Sequence, residues 1–350
     1  MNPSSSVALD PDIAALLALP GISGFEDAVR SYVLEQVQTL AEPTVDAMGN
    51  VTVTFGSGGP RILIVAHMDE IGLVVSGIDD DGLVRFEKVG TIDDRLLAGR
   101  HVMVHGDGGA RYGVVGAVPP HHGGSGGSSP ATLAIDLGMR SAADVRALGV
   151  RVLDQVTFVK RPRIMNGTRL NCRSIDDRLG CALVLWACRY AATRSVNATL
   201  TFAWSVQEEV GLRGAQALAR GPREFDVVIP VDACASTDGP NHPRRLGYLP
   251  LGSGPVLRMV DHGSMGSHVL AAWLTDLADH HDIPLQRGVT GGETDGVPLQ
   301  VTGAHMVPLT IAMRYVHSLA ETCDLRDVEN ARRLLERVVD AAATAPTVSR

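Results

Sequence analysis

The chain has 350 residues, of which 45% are apolar and 20% charged, and a formal net charge of -8. Such a composition is that of an ordinary globular protein, and a chain of this size buries roughly 70–75% of its unfolded surface, ample for a sizeable core. The acidic balance excludes a nucleic-acid binder driven by phosphate contacts and a basic membrane-surface protein, since both need a basic face.

Taken in chain order, residues 1–10 read as a loose tail. The N-terminus lacks a basic n-region, and Asp10 and Asp12 interrupt its apolar residues, so neither a signal peptide nor a membrane span is expected. Ser23 followed by Glu26 has the spacing of a capping box, and AVRSYVLEQVQTL behind it has helical spacing of apolar positions. NVTVTFG and RILIVA read as strands, the second with the continuous apolar run of a strand buried on both faces. From about residue 71 the character changes to short β-like pieces (LVVSGI, LVRFEKVG, RHVMVHG, YGVVGAV) separated by Gly and Asp turns. HHGGSGGSSP at 121–130 reads as a solvated Gly/Ser loop rather than as a metal site built on His121 and His122.

After about residue 163, strand and helix alternate. CALVLWACRYAAT is predicted as a helix, TLTFAWSV as a strand, GLRGAQALA as a helix and DVVIPVDA as a strand. MGSHVLAAWLTDLADHH then reads as a helix, VPLTIAM as a strand and LRDVENARRLLERVVDAAA as a closing amphipathic helix. The expected fold is α/β, a mostly parallel twisted sheet with helices on both faces. Residues 1–70 and 164–350 would form one discontinuous domain, with 71–163 inserted as a small β-rich domain. Cys172, Cys181, Cys188, Cys234 and Cys323 are odd in number and lack CxxC spacing. They read as small buried hydrophobes without disulfides, in a reducing, cytoplasmic compartment.

In open α/β sheets, ligands bind at the carboxyl ends of the strands. RILIVA runs into His67 and Asp69, TLTFAWSV into Glu208 and Glu209, DVVIPV into Asp232, and VPLTIAM into His317, while Asp176 and Asp177 stand just before a helix. Alone, a strand-end Asp is more often a helix cap or turn residue, and a lone His a structural one. Together they bring His and carboxylate groups to one edge of one sheet. That donor set suits Zn²⁺, Co²⁺ or Mn²⁺ and exceeds what one tetrahedral ion needs, so two ions with a bridging carboxylate and water are expected. Asp69, two residues beyond His67 on extended chain, is placed to orient its ring. Of the Glu208–Glu209 pair, one can bind metal while the other stays free as general base and later general acid.

The segments AHMDEIG, SIDDRLG, QEEVGLRGA, VDAC, GGETDG and RYVHS, in this order, closely resemble the tetrahedral aminopeptidases, some once labelled endoglucanase M. The resemblance runs from about residue 16 to 340. It implies that His67 and Asp232 hold one metal, Glu209 and His317 the second, and that Asp176 bridges both. It implies Glu208 as the general acid/base and Asp69 as the residue orienting His67. It further implies that the insert is a PDZ-like dimerisation domain and that dimers assemble into a dodecamer. The family usually has a small residue where this chain has Glu293, which with Asp295 would lie beside the substrate pocket. A carboxylate there predicts discrimination against acidic first residues.

The leading reading is a dinuclear metal-dependent aminopeptidase acting on short peptides, in which a metal-bridging hydroxide attacks the first carbonyl. A metal-dependent deacylase or amidase of N-acyl amino acids shares the chemistry and is the alternative. A non-catalytic assembly protein is a distant third, opposed by the intact Glu208. Glycoside hydrolysis requires carboxylates flanking the bond without metal, and these carboxylates are committed to metal.

Overall fold

A computed structural model of the chain describes residues 9–117, 121, 129–221, 224–240 and 247–348. Helices α1 (Pro11–Ala18) and α2 (Asp27–Val37) precede strands β1 (Thr44–Val45), β2 (Val51–Phe55) and β3 (Arg61–His67). Then come β4 (Gly72–Ile78), β5 (Leu83–Val89), β6 (His101–Gly106), β7 (Gly109–Val115), β8 (Ile135–Asp136), α3 (Ala142–Ala147) and β9 (Gln155–Phe158). Next are β10 (Arg163–Met165), β11 (Arg169–Cys172), α4 (Ile175–Ala192), β12 (Thr199–Ser205), α5 (Arg213–Arg220) and β13 (Val227–Ala235). The chain closes with β14 (Val256–Val260), α6 (His268–His280), β15 (Gln286–Val289), α7 (Gly296–Gln300), β16 (His305–Met306), β17 (Leu309–Arg314), β18 (Glu321–Asp324) and α8 (Leu325–Asp340).

The main sheet runs β1-β2-β12-β3-β13-β17-β18-β11-β10, with β14, β15 and β16 paired beside it. Its centre, β12-β3-β13-β17, is parallel, and antiparallel strands flank that centre on both sides. The apolar run of β3 is explained by burial on two faces. Ile62, Ile64 and Ala66 join the large core that includes Leu179 and Leu183 of α4. Leu63 and Val65 join the smaller core with Ala215 of α5 and Leu299 of α7. Each fully buried Leu, Ile or Val contributes roughly 1.5–3 kcal/mol, which fixes the strand's register against a one-residue slip.

The β-rich region forms a closed barrel, β4-β5-β8-β7-β6-β9, around its own core of Leu73, Val75, Val84, Phe86, Val102, Val104 and Val156. Closure removes the exposed strand edges that such short strands would otherwise present. Of the Gly/Ser loop at 121–130, residues 122–128, His122 among them, lie outside the described residues.

The capping box expected at Ser23 is not formed. The α2 N-cap is Glu26, without a side-chain cap bond. The Ser23 hydroxyl instead donates to Asp69 Oδ2 at 2.6 Å, and Glu26 Oε1 accepts from the N–H groups of Gly24 (2.8 Å) and Gln207 (3.1 Å). Each side chain has a partner distant in sequence, Asp69 for Ser23 and Gln207 for Glu26, which a local spacing rule does not register. All five cysteines are free and buried. No helix among the described residues is long and apolar enough to cross a membrane.

Candidate metal centre

Parallel strands end on the same side of a sheet, so β3, β12, β13 and β17 deliver their C-terminal residues to one edge. His67 is the last residue of β3. Glu208 and Glu209 follow β12, and His317 follows β17. Asp176 lies at the start of α4, after β11. Asp232 was expected at a strand end, yet β13 continues to Ala235 because its pairing with β17 extends that far. Ser174 (φ 67), Gln207 (φ 54), Leu212 (φ 56), Tyr315 (φ 60) and His317 (φ 59) are left-handed. Each such residue costs on the order of 1–3 kcal/mol, and strain of this kind gathers at functional sites.

These loops bring the expected side chains together in two groups that share Asp176. His67 Nε2 lies 3.3 Å from Asp176 Oδ1 and 3.8 Å from Asp232 Oδ1. His317 Nε2 lies 3.6 Å from Asp176 Oδ2 and 3.3 Å from Glu209 Oε2. Donors about 2 Å from one ion at tetrahedral angles stand about 3.3 Å from each other, and these separations lie near that value, so each group could hold a metal ion. Asp176 turns one oxygen to each group, and its Oδ1 has no hydrogen-bond partner among the described residues. Asp177 belongs to neither group. Its Oδ1 accepts from the Gly180 N–H at 3.0 Å, and a Cβ on Gly180 would fall 2.2 Å from its Oδ2.

Asp69 is wholly buried and organises the centre. Its backbone carbonyl lies 3.1 Å and its Oδ1 3.5 Å from His67 Nδ1. Both are acceptors, and a proton held on Nδ1 would leave Nε2 to a metal ion. The same carboxylate accepts from the N–H groups of Glu208 (3.0 Å) and Glu209 (3.2 Å). It therefore holds the histidine and the glutamate pair in one frame, a wider role than the sequence suggested.

Burial and then the surrounding carboxylates Asp232, Glu209 and Asp295 push the Glu208 carboxyl well above its ordinary value. Burial and the neighbouring Asp176 do the same to Glu209. Burial drives His67 down, but Glu208, Asp176, Asp232 and Asp69 outweigh it and raise it well above the usual imidazole value. Crowded acidic groups of this kind are stabilised by positive charge, which a divalent cation held there would supply.

A cavity of about 450 Å³ opens onto the cluster, lined by His67, Asp176, Glu208, Glu209, Asp232 and His317 together with Thr91, Arg258 and Glu293. Among the described residues none hydrogen-bonds the Glu208 carboxyl, which faces this space. Glu293 is exposed on the cavity wall. Asp295 is not on the wall: it is buried, and the Ser205 hydroxyl donates to its Oδ2. Burial pushes it up to about 7. Sequence reasoning missed Arg258, which is buried and engaged by Asp261 Oδ2 (3.1 Å) and the Gly291 carbonyl (2.8 Å). It also missed Thr91, which reaches the cavity from the barrel side. Neither sits in a pattern that local spacing would reveal.

The profile of the M42 glutamyl aminopeptidase family matches residues 49–334. The lysyl aminopeptidase of Pyrococcus furiosus is 30% identical over 338 residues, spanning 93% of this chain and 95% of that protein. The glutamyl aminopeptidase of Lactococcus lactis subsp. cremoris is 29% identical over 347 residues, spanning 95% and 96%. Among solved structures, the TET1 peptidase of Pyrococcus horikoshii, which can assemble into a tetrahedron or a large octahedral shell, superposes with a TM-score of 0.87 at 37% identity, over 94% of this chain and 98% of that one. With the profile spanning most of the chain and every donor of the cluster, the protein belongs to the M42 glutamyl aminopeptidase family of metal-dependent peptide-bond hydrolases.

Proposed function

We propose that the protein is a dinuclear metal-dependent aminopeptidase that removes N-terminal residues from short peptides, with Glu208 as general acid/base. The observation that carries this reading is the pair of donor groups sharing Asp176, on a cavity that Glu208 also lines and where no described residue hydrogen-bonds the Glu208 carboxyl. His67 and Asp232 would hold one ion, Glu209 and His317 the other, and Asp176 would serve both; Zn²⁺, Co²⁺ or Mn²⁺ suits these donors. Bound there, such ions supply Lewis acidity toward a carbonyl oxygen and lower the pKa of water. Asp69 keeps His67 in the tautomer that leaves Nε2 unprotonated. Glu208 takes a proton from the attacking water as its oxygen bonds to the carbonyl carbon, and returns a proton to the amine nitrogen as the C–N bond breaks.

The cavity wall argues for neutral or basic first residues. Arg258 is buried and its charge is matched by Asp261, whereas Glu293 is exposed at the cavity. The relatives are named for opposite preferences, lysyl and glutamyl, so this chain's own wall decides. We further read the barrel as the dimerisation unit and a dodecamer as the assembly, in keeping with the closed shells of the Pyrococcus horikoshii relative. The five free, buried thiols support a cytoplasmic setting.

A panel of aminoacyl-p-nitroanilides and N-acyl amino acids, each with Zn²⁺, Co²⁺ or Mn²⁺, tests the reading. Release of p-nitroaniline is expected. Turnover of N-acyl amino acids alone would replace it with a deacylase, and inertness toward both with a non-catalytic assembly protein.

A further inference from the structure

We infer that Glu321 is a positioning residue for Asp176, and that through Arg173 it joins the backbone of that carboxylate to the root of the barrel. The inference rests on the dinuclear reading above. Glu321 is the first residue of β18 and is wholly buried. Sheet pairing sets it opposite Cys172, the last residue of β11, immediately before the turn that leads to Asp176. Its Oε2 accepts from the N–H groups of Ile175 at 2.7 Å and Asp176 at 3.2 Å. Its Oε1 accepts from Arg173 Nη1 at 2.9 Å. All three neighbours donate, and the two carboxylate oxygens accept from them.

The start of α4 is not regular helix: Asp176 (φ -76, ψ 111) and Asp177 (φ -117, ψ 41) are non-helical, and Ser174 is left-handed without a side-chain cap bond. No helical turn fixes the backbone that carries Asp176, and Glu321 holds its N–H groups from a different strand. This arrangement frees the Asp176 side chain to face outward with one oxygen toward His67 and the other toward His317. A shift of this backbone would therefore misalign both donor groups at once. The guanidinium that grips Glu321 also donates through Nη2 to the carbonyl of Ile71, just before β4. It stands 6.0 Å from the ring centroid of Phe158, the last residue of β9. Those are the two points where the chain enters and leaves the barrel.

The test is Glu321→Gln in the full-length chain, which keeps the size but weakens the acceptor and loses the charge. Dissociation constants of Co²⁺ and Zn²⁺ are measured by competition with a chromophoric chelator, alongside the visible spectrum of the Co²⁺ protein and unfolding of the metal-free protein. Outer partners of metal ligands typically change affinity by about 10–100-fold, so both sites are expected to weaken by that factor and the Co²⁺ spectrum to change. Asp226→Asn, remote from the centre, should lower stability without moving either constant. If Glu321→Gln lowers stability while the constants and the spectrum stay at parental values, Glu321 is only a structural cap and the inference fails. Should Glu321→Gln not fold, Arg173→Lys is put through the same titration and judged by the same criterion. A parent that binds no divalent ion would overturn the dinuclear reading itself, an outcome separate from equal binding by parent and variant.

Discussion

At the residue scale, the proposed mechanism separates side chains that would hold metal from one that would move protons. Glu208 faces the cavity, while its neighbour Glu209 lies 3.3 Å from His317. Glu208→Gln should leave metal content at the parental level and lower kcat by roughly 10²–10⁴-fold, the usual share of general acid/base catalysis. Metal analysis and steady-state kinetics on one preparation decide it, and near-parental kcat would remove Glu208 from the mechanism. Asp176→Asn should deplete metal from both sites, because one side chain serves both groups. Asp177→Asn should deplete it less, since that carboxylate faces Gly180. The reverse order in elemental analysis would transfer the shared role to Asp177. For Glu293, the expected order of kcat/KM is Leu- and Arg-p-nitroanilide above Glu-p-nitroanilide. A charge-assisted hydrogen bond contributes about 1.5–3 kcal/mol, and exposure on the wall reduces it to about tenfold in specificity. Glu293→Gly should flatten the ratio; an unchanged ratio would take Glu293 out of the pocket.

At the scale of elements, the barrel is both a separate core and a neighbour of the chemistry. Its apolar residues form their own cluster, yet Thr91 reaches the cavity, and Lys160, two residues past β9, donates to Glu70 Oε1 at 2.7 Å. Burial raises the Glu70 carboxyl, but Lys160, Arg178 and Arg173 reverse this and hold it at about 2. Deleting residues 71–163 and rejoining the chain should lower the number of subunits per particle in light scattering. An unchanged subunit number would remove the dimerisation role from the barrel.

At the scale of the whole molecule, acid should weaken the link between β3 and β13. Arg61 at the start of β3 donates to Asp226 through its backbone N–H (2.9 Å), Nε (2.9 Å) and Nη2 (2.8 Å). These bonds hold the Asp226 carboxyl at about 2. A folded-state pKa below the unfolded value gives stability that is present above about pH 4 and lost as pH falls toward 2. The Arg61 side chain is about a third exposed, so the contribution is about 1–2 kcal/mol after solvent screening. Asp226→Asn should therefore unfold at lower denaturant than the parent at pH 7, with the difference shrinking between pH 4 and pH 2. A difference independent of pH would show that the ion pair does not carry it.

What the sequence determined by itself was the sheet's central strands and the identities of the clustered donors. An apolar run such as RILIVA can bury both faces only inside a covered sheet, and a polar residue directly after it must emerge at the sheet's edge. His67, Glu208, Glu209 and His317 are legible for that reason. The tertiary structure alone decided which groups support them. Ser23 meets Asp69 across 46 positions and Arg173 meets Glu321 across 148, and Thr91 reaches the cavity from the barrel side. No local period encodes such contacts. They exist because parallel strands, joined through helices and a barrel, return distant segments to one edge, where buried polar groups must find partners in space rather than along the chain.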